Sequence, residues 1–213
     1  EHAGAGYVQI IAGNTGSEYI GFYTGASVER MRIDASGNVG IGVTPQVWHT
    51  SYRAMSVGGT GSVFGTTTAG AAGQIGVVQN GFVNTGGSWL YTFSDEASLY
   101  EAVNGIHTFY IAASGTAGNP ISFLPALQIN NSQQVRNPVD NAGFYTGAGD
   151  DMHLYWDNAG GTGYLHTAGN MAVTGTGGVF LLTAQGGENL ASLTANGAVT
   201  LYYDNAAKLE TRS

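Results

Sequence analysis

The side chains best suited to chemistry in this sequence are carboxylates, which occur in two groups. They are Asp95, Glu96 and Glu101, and Asp150, Asp151 and Asp157. Cleavage of a glycosidic bond needs two carboxyl groups at a defined separation, so either group is a candidate pair. Acidic residues also serve as solvated turn residues in chains with many turns. We favour the turn interpretation, and we predict that the chain has no catalytic residues.

The residues that bind metals or act as nucleophiles lack the spacing of known sites. The histidines at positions 49, 107, 153 and 166 form neither an H-x-H nor an H-E-x-x-H pair. Asp150 and Asp151 do not match a calcium-binding loop, and the chain contains no cysteine. The glycine clusters match no phosphate-binding loop. We therefore predict neither a metal site nor a cofactor.

Five aromatic residues are the candidates for binding a ligand. They are Trp48, Tyr52, Trp89, Tyr91 and Trp156. An indole or phenol ring offers a flat face to a sugar and a polar group at its edge, and Tyr155 could assist Trp156. Large aromatic residues also commonly pack in cores, so both interpretations stay open at this stage. If the chain binds a receptor glycan, we expect these residues to contact it.

Composition excludes several classes of partner. The chain has 213 residues with 35 glycines, 9% charged residues and a net charge of −8. Six Lys and Arg residues are too few for a basic patch, so we predict no binding of nucleic acid or of an anionic membrane surface. No apolar run is long enough to span a bilayer, so we expect no membrane insertion. Aromatic residues at 11% and apolar residues at 43% argue against disorder.

The segment MRIDASGNVGIG, residues 31–42, predicts two short strands joined by a tight turn. Met31, Ile33, Val39 and Ile41 alternate with polar residues or glycine, as in strands with one buried face. Residues 34–38 are turn formers. Further strands are predicted at 7–12, 19–23, 74–78, 88–93, 106–112 and 121–123. Residues 95–103 fit a strand or a short helix, and we favour the strand.

Aromatic and long side chains are densest between residues 46 and 126. This is the segment that we expect to build a compact core, so we predict three parts. They are an N-terminal β-repeat shaft segment at 1–45, an aromatic-rich β module at 46–126, and a C-terminal β-repeat shaft segment at 127–213.

Repeats indicate that a β unit has been duplicated. ALQINNSQQVR at 126–136 resembles the unit at 31–42, although Gln133 and Gln134 replace Gly37 and Asn38 and predict an altered turn. GFYTGA occurs at 21–26 and again at 143–148, and HLYWDNA at 153–159 is echoed by TLYYDNA at 200–206. Such glycine-rich hairpins bury little apolar surface, so we expect copies of the chain to associate around an axis.

Several segments resemble bacteriophage tail fibre and tailspike proteins. The resemblance lies in ERMRIDASGNVGIGVTP (29–45), WHTSYRA (48–54), GIHTFY (105–110) with SGTAGN (114–119), and VTLYYDNAAKLETRS (199–213). It implies a homotrimeric fibre on the virion, in the phage tail, that contacts other tail proteins and a bacterial surface polysaccharide or outer-membrane receptor. The last segment resembles the shaft that precedes a C-terminal intramolecular chaperone, so Ser213 is expected to be a matured terminus.

The sequence thus predicts an all-β, elongated homotrimeric fibre of short β-hairpin repeats with an inserted aromatic-rich β module. Its expected function is structural support and host-receptor binding, without catalysis. Two alternatives stay open: a glycan-depolymerising tailspike fragment and a bacterial adhesin stalk. Because the chain lacks an initiator Met and begins close to a predicted strand, we expect it to be a fragment of a longer protein.

Overall fold

The computed structural model describes residues 18–25, 27–70, 73–140, 142–146, 148–170, 179–184, 188–194 and 197–211. These residues form 19 strands and no helix. The predicted all-β class is therefore confirmed. Within the described ranges no helix offers the length and apolarity that crossing a membrane requires.

The strands are short and follow one another closely. They are β1 (Ile20–Thr24), β2 (Val28–Ile33), β3 (Val39–Ile41), β4 (Tyr52–Val57), β5 (Gly61–Thr66), β6 (Gln74–Gln79), β7 (Gly81–Val83), β8 (Trp89–Tyr91), β9 (Asp95–Val103), β10 (Ile106–Gly115), β11 (Leu124–Ile129), β12 (Val135–Arg136), β13 (Gly143–Thr146), β14 (Met152–Asp157), β15 (Thr162–Thr167), β16 (Val179–Thr183), β17 (Asn189–Thr194), β18 (Val199–Tyr203) and β19 (Ala206–Glu210).

Backbone contacts divide the chain into two compact units, Glu1–His166 and Thr167–Ser213. The first unit contains a ten-stranded sheet in the order β1-β2-β3-β4-β5-β6-β9-β10-β11-β12. It also holds the two-stranded sheet β7-β8 and the three-stranded sheet β13-β14-β15. The second unit is the four-stranded sheet β16-β17-β18-β19. The large sheet continues across residues 45 and 126, and the three-part division of the sequence stays a prediction.

The turn predicted at residues 34–38 joins β2 to β3 and occurs twice more. Asp34 Oδ1 accepts hydrogen bonds from the backbone N–H groups of Ser36 and Asn38, at 2.9 and 2.8 Å. Asn84 and Asn130 accept from the residues two and four positions further on in the same way. The fourth turn residue has a positive φ in each case: +83° at Gly37, +83° at Gly87 and +62° at Gln133.

The expectation of an altered turn at Gln133 is wrong as regards its hydrogen bonds. Asn130 N–H donates to Gln134 O at 3.1 Å and Gln133 N–H donates to Asn130 O at 3.0 Å, as the equivalent atoms do in the first turn. Gln133 accepts the left-handed conformation, which costs an L-residue about 1 kcal/mol or more relative to glycine. The asparagine side chain therefore dictates this turn even where the glycine is missing.

Three of the other predicted strands have different outcomes. Residues 95–103 are the strand β9, which pairs with β6 and β10, so the preferred interpretation is confirmed. The strand predicted at 121–123 is wrong: Ile121 N–H bonds to Trp89 O at 2.9 Å, outside any ladder that these residues form. The strand predicted at 7–12 lies outside the described residues.

One pair of neighbouring strands in the large sheet is parallel, and the connection between these strands contains the core residue Trp48. β3 and β4 run parallel, with Val39 beside Met55 and Ile41 beside Val57. The chain between them must therefore return along the sheet, and on the way it places Trp48 against one sheet face. Two buried clusters lie on this face, and as predicted both fall within 46–126. Their members are Trp48, Ala54, Phe64, Val78, Val83 and Leu99, and Tyr91, Ala97, Ala112 and Ile121.

The repeated segments occupy equivalent positions in two sheets. The first GFYTGA contributes β1, which pairs antiparallel with β2, and the second contributes β13, which pairs antiparallel with β14. The repeated tripeptide Asp-Asn-Ala occupies equivalent turns as well. Residues 157–159 lie between β14 and β15, and residues 204–206 lie between β18 and β19. The repeats are therefore repeated hairpin elements, as the sequence indicates.

Candidate functional site

Three of the five predicted binding residues, Trp48, Tyr52 and Trp89, meet in one aromatic cluster, whereas Tyr91 belongs to the second buried cluster. The Trp48 ring stacks on Phe64 with ring centroids 5.4 Å apart, and Trp89 meets Trp48 edge to face at 6.0 Å. Tyr52 lies edge to face against Phe64 at 5.8 Å. The parallel connection, the strand β4 and the hairpin β7-β8 bring these rings onto the covered sheet face. They form a packed core of interlocking rings rather than an open platform.

The structure places two of the predicted binding residues, Trp48 and Tyr91, in the interior. Trp48 is 3% exposed and Tyr91 is 6% exposed, so the protein itself covers their ring faces. The Tyr91 hydroxyl donates to Ala113 O at 2.5 Å, and its ring fills the space beside Gly115. Tyr52 and Trp89 are half-buried and pack against the same core. These residues hold loops onto the sheet, and the core-packing interpretation describes them.

A polar network lies at the margin of this core around Glu101. Tyr110 donates its hydroxyl proton to Glu101 Oε1 at 2.8 Å, and the Gln74 amide donates to Glu101 Oε2. The Tyr52 hydroxyl donates to Gln74 Oε1 at 3.1 Å. Burial raises the pKa of both tyrosines, and the negative charge of Glu101 raises it further. The network fixes one half-buried carboxylate through hydrogen bonds to both of its oxygens.

The carboxylates of the module are spread along one strand instead of being paired. Asp95 and Glu101 lie six residues apart on β9, which corresponds to about 20 Å. Glu96 points to the opposite face of that strand. Glycosidases hold their two carboxyl groups about 5 to 9.5 Å apart. Within the described ranges, no three His, Asp or Glu side chains approach closely enough to hold a metal ion.

Trp156, the fifth predicted binding residue, lies in the sheet β13-β14-β15. Its side chain is 50% exposed. Tyr155 and Trp156 are neighbours on β14, so they point to opposite faces and do not form one platform, which corrects that expectation. Tyr155 instead joins a stack of rings in which Tyr164 lies 5.1 Å from it and His153 lies 4.6 Å from His166. Of the five candidates, Trp156 is the one whose ring is exposed.

Sequence reasoning missed one accessible apolar surface, which is the second face of the ten-stranded sheet. Its central row crosses eight strands as direct neighbours in the ladder. The row consists of Ile33, Val39, Met55, Val63, Val77, Tyr100, Phe109 and Leu127. Val77 is 50% exposed and Phe109 is 44% exposed, so nothing in the described chain covers its middle.

Two further rows flank the central one, and we call the three rows together the bare face. One contains Phe22, Met31, Ile41, Val57, Gly61, Gln79, Ser98, Ile111 and Leu124; the other contains Arg53, Gly65, Ile75, Ala102, His107, Ile129 and Val135. Among the residues of these rows, Arg53 is the one with a formal charge. The bare face is thus apolar and nearly neutral.

A shallow depression lies on the bare face between β9 and β11. Its volume is about 260 Å³, and Tyr100, His107, Phe109 and Ile129 line it. The Tyr100 hydroxyl and His107 Nδ1 lie 2.8 Å apart and share a hydrogen bond. Tyr100 also packs against Phe109 with ring centroids 4.9 Å apart. The Tyr100 hydroxyl and His107 Nδ1 therefore satisfy each other within the chain.

One signal in the sequence does indicate the bare face. Ile75, Val77 and Val78 in β6 place apolar side chains on both faces of the strand, whereas a strand with one solvated face alternates strictly.

Comparison of the chain with family models, with curated proteins and with solved structures finds no match.

Proposed function

We propose that this chain is a homotrimeric segment of a bacteriophage tail fibre that supports the fibre and binds the bacterial surface. The observation that carries the proposal is the imbalance between buried and exposed apolar residues. Apart from Ala191, the buried apolar residues of the described chain all belong to two clusters between Trp48 and Ile121. Large apolar side chains remain exposed in the ten-stranded, three-stranded and four-stranded sheets alike.

Self-association accounts for this imbalance better than a single foreign partner does. Monomeric proteins seldom expose large contiguous apolar patches. Copies related by a symmetry axis present the same sheets to one another, so one association covers exposed residues in each of them. The repeated hairpins and the resemblance of residues 29–45 and 199–213 to tail fibre segments support three copies and a place on the virion.

Receptor binding is proposed for the exposed Trp156 ring. A trimer presents three such rings, and linked weak contacts gain avidity from their high effective concentration. The separation of Asp95 from Glu101 supports binding without cleavage. The proposed receptor is therefore a polysaccharide or an outer-membrane component that the fibre holds and does not degrade.

The proposal is tested by binding to a panel of bacterial capsular polysaccharides, lipopolysaccharides and outer-membrane vesicles. The wild-type chain is expected to bind one of them as a trimer, and Trp156→Ala is expected to weaken that binding at least tenfold. Tyr203→Ala is the matched control, because Tyr203 is an exposed ring in the other unit. Failure to bind any of these surfaces contradicts the receptor role, and release of sugar fragments supports the depolymerase instead.

A further inference from the structure

We propose that the bare face is the surface through which copies of this chain meet, with Val77 and its central-row neighbours at the middle of the contact. The inference rests on the proposed homotrimeric function and names the contact surface. The opposite face of the same sheet cannot serve, because Trp48, Val83, Tyr91 and Ile121 already cover it.

The size of the bare face matches what a stable association requires. Its central row crosses eight strands, which at about 4.8 Å per strand is about 34 Å. Five residues along each strand add about 17 Å, so the face covers about 600 Å² in projection. Specific interfaces bury about 800 Å² of accessible surface per partner. Because side chains project from the plane, the accessible area of the face exceeds its projected area.

The charge distribution favours a second copy as the occupant. Copies with a net charge of −8 repel one another, so they associate best through a surface that lacks acidic groups. The three rows of the bare face contain no Asp or Glu, and Arg53 lies at the end of its row. An anionic polymer would find no cluster of cations there to pair with.

The depression at Tyr100 and His107 is a recess into which a side chain of a neighbouring copy can insert. A volume of about 260 Å³ accommodates a large apolar side chain from a neighbouring copy. The hydrogen bond between the Tyr100 hydroxyl and His107 Nδ1 already satisfies both polar atoms. These two atoms can therefore be buried without a partner from the other copy, which removes the usual penalty for covering them.

The experiment uses single cysteines, since the natural chain has none. Val77→Cys places a thiol at the middle of the bare face, and Val47→Cys places one in the connection between β3 and β4. Both valines are accessible within one chain, at 50% and 67% exposure. The rate of labelling by a bulky maleimide and the mass by light scattering are measured on the same samples. We expect Val77→Cys to react at least tenfold more slowly than Val47→Cys.

Each outcome separates this inference from the proposed function. Rapid labelling of Val77→Cys in a protein of trimeric mass overturns the bare face as the contact and leaves the trimer standing. Rapid labelling in a protein of monomeric mass overturns both. As a second variant, Val77→Lys is expected to give the mass of one chain with native tryptophan fluorescence, whereas Val47→Lys keeps the trimer. A Val77→Lys protein that remains trimeric also contradicts the inference.

Discussion

The ring of Phe64 lies directly over Gly76 on the neighbouring strand. A Cβ at Gly76 would come within 2.5 Å of Phe64 Cζ and 2.7 Å of Tyr100 O. The absence of a side chain at position 76 thus lets the largest fully buried ring of the core settle onto the sheet. This contact connects the aromatic cluster on the covered face to β6, whose residues Ile75, Val77 and Gln79 lie on the bare face.

Gly76→Ala is expected to destabilise the fold by about 1 to 3 kcal/mol, because an added methyl group overpacks the core against Phe64 and a backbone oxygen. Urea unfolding followed by tryptophan fluorescence measures the change. Gly59→Ala is the control, because its added Cβ meets nothing within 4 Å. Equal midpoints for the two variants would contradict the close packing of Phe64 on Gly76.

The recurrent turn allows a matched test of backbone conformation. Gly87 has a φ of +83° and open space around it, whereas its neighbour Gly86 has an ordinary φ. Gly87→Ala is expected to cost about 1 kcal/mol through backbone strain alone, and Gly86→Ala is expected to cost less. Thermal unfolding of the two variants compares them. A larger loss at Gly86 would show that the turn differs from the one described.

Alkaline pH is expected to weaken the fold through the tyrosines whose pKa is raised. Burial raises the pKa of Tyr110 and Tyr52, and the hydrogen bond to Tyr19 raises that of Tyr23 to about 12. Groups with a raised pKa contribute stability that is complete below the unfolded value of about 10 and is lost as the pH rises through the folded value. Melting temperatures measured between pH 8 and pH 12 should therefore fall at the alkaline end.

Tyr110→Phe tests the origin of that alkaline loss. The variant lacks the hydroxyl that donates to Glu101, so we expect lower stability at neutral pH by about 1 kcal/mol and a shallower fall above pH 10. Tyr203→Phe alters a hydroxyl on a side chain that is 73% exposed and serves as the control. An unchanged alkaline slope in Tyr110→Phe would remove Tyr110 as a source of the effect.

Trp48 is expected to stabilise the fold without binding a ligand. Trp48→Ala removes the ring that stacks on Phe64 and should cost about 3 to 5 kcal/mol. Trp48→Phe keeps an aromatic ring in the cluster, so its stability should lie between that of Trp48→Ala and the wild type. Both variants that fold should bind any receptor surface as the wild type does. A loss of receptor binding in a Trp48→Phe protein of native stability would restore Trp48 as a binding residue.

Local patterns in the sequence predict the strands and turns well because their causes are local. The side chain of Asp34 accepts hydrogen bonds from backbone N–H groups two and four residues further along the chain. Apolar residues alternate with polar residues or glycine between Met31 and Ile41, which lie on two adjacent strands. The position of Trp48 in the fold depends on the parallel pairing of β3 with β4, which no local pattern in the sequence specifies. The apolar residues of β6 fit either a doubly buried strand or an exposed face. Sequence alone therefore leaves open whether the aromatic candidates pack in the core or bind a ligand, and it misses the bare face.

The central claim is that these sheets are completed by sister copies of the chain, and the molar mass in dilute solution tests it most directly. Light scattering on the purified chain should give about 66 kDa, three times the mass of 21.9 kDa for one chain, and the value should hold on dilution. A cooperatively folded protein with the mass of one chain, at the concentrations where the β-rich structure is intact, would contradict the account.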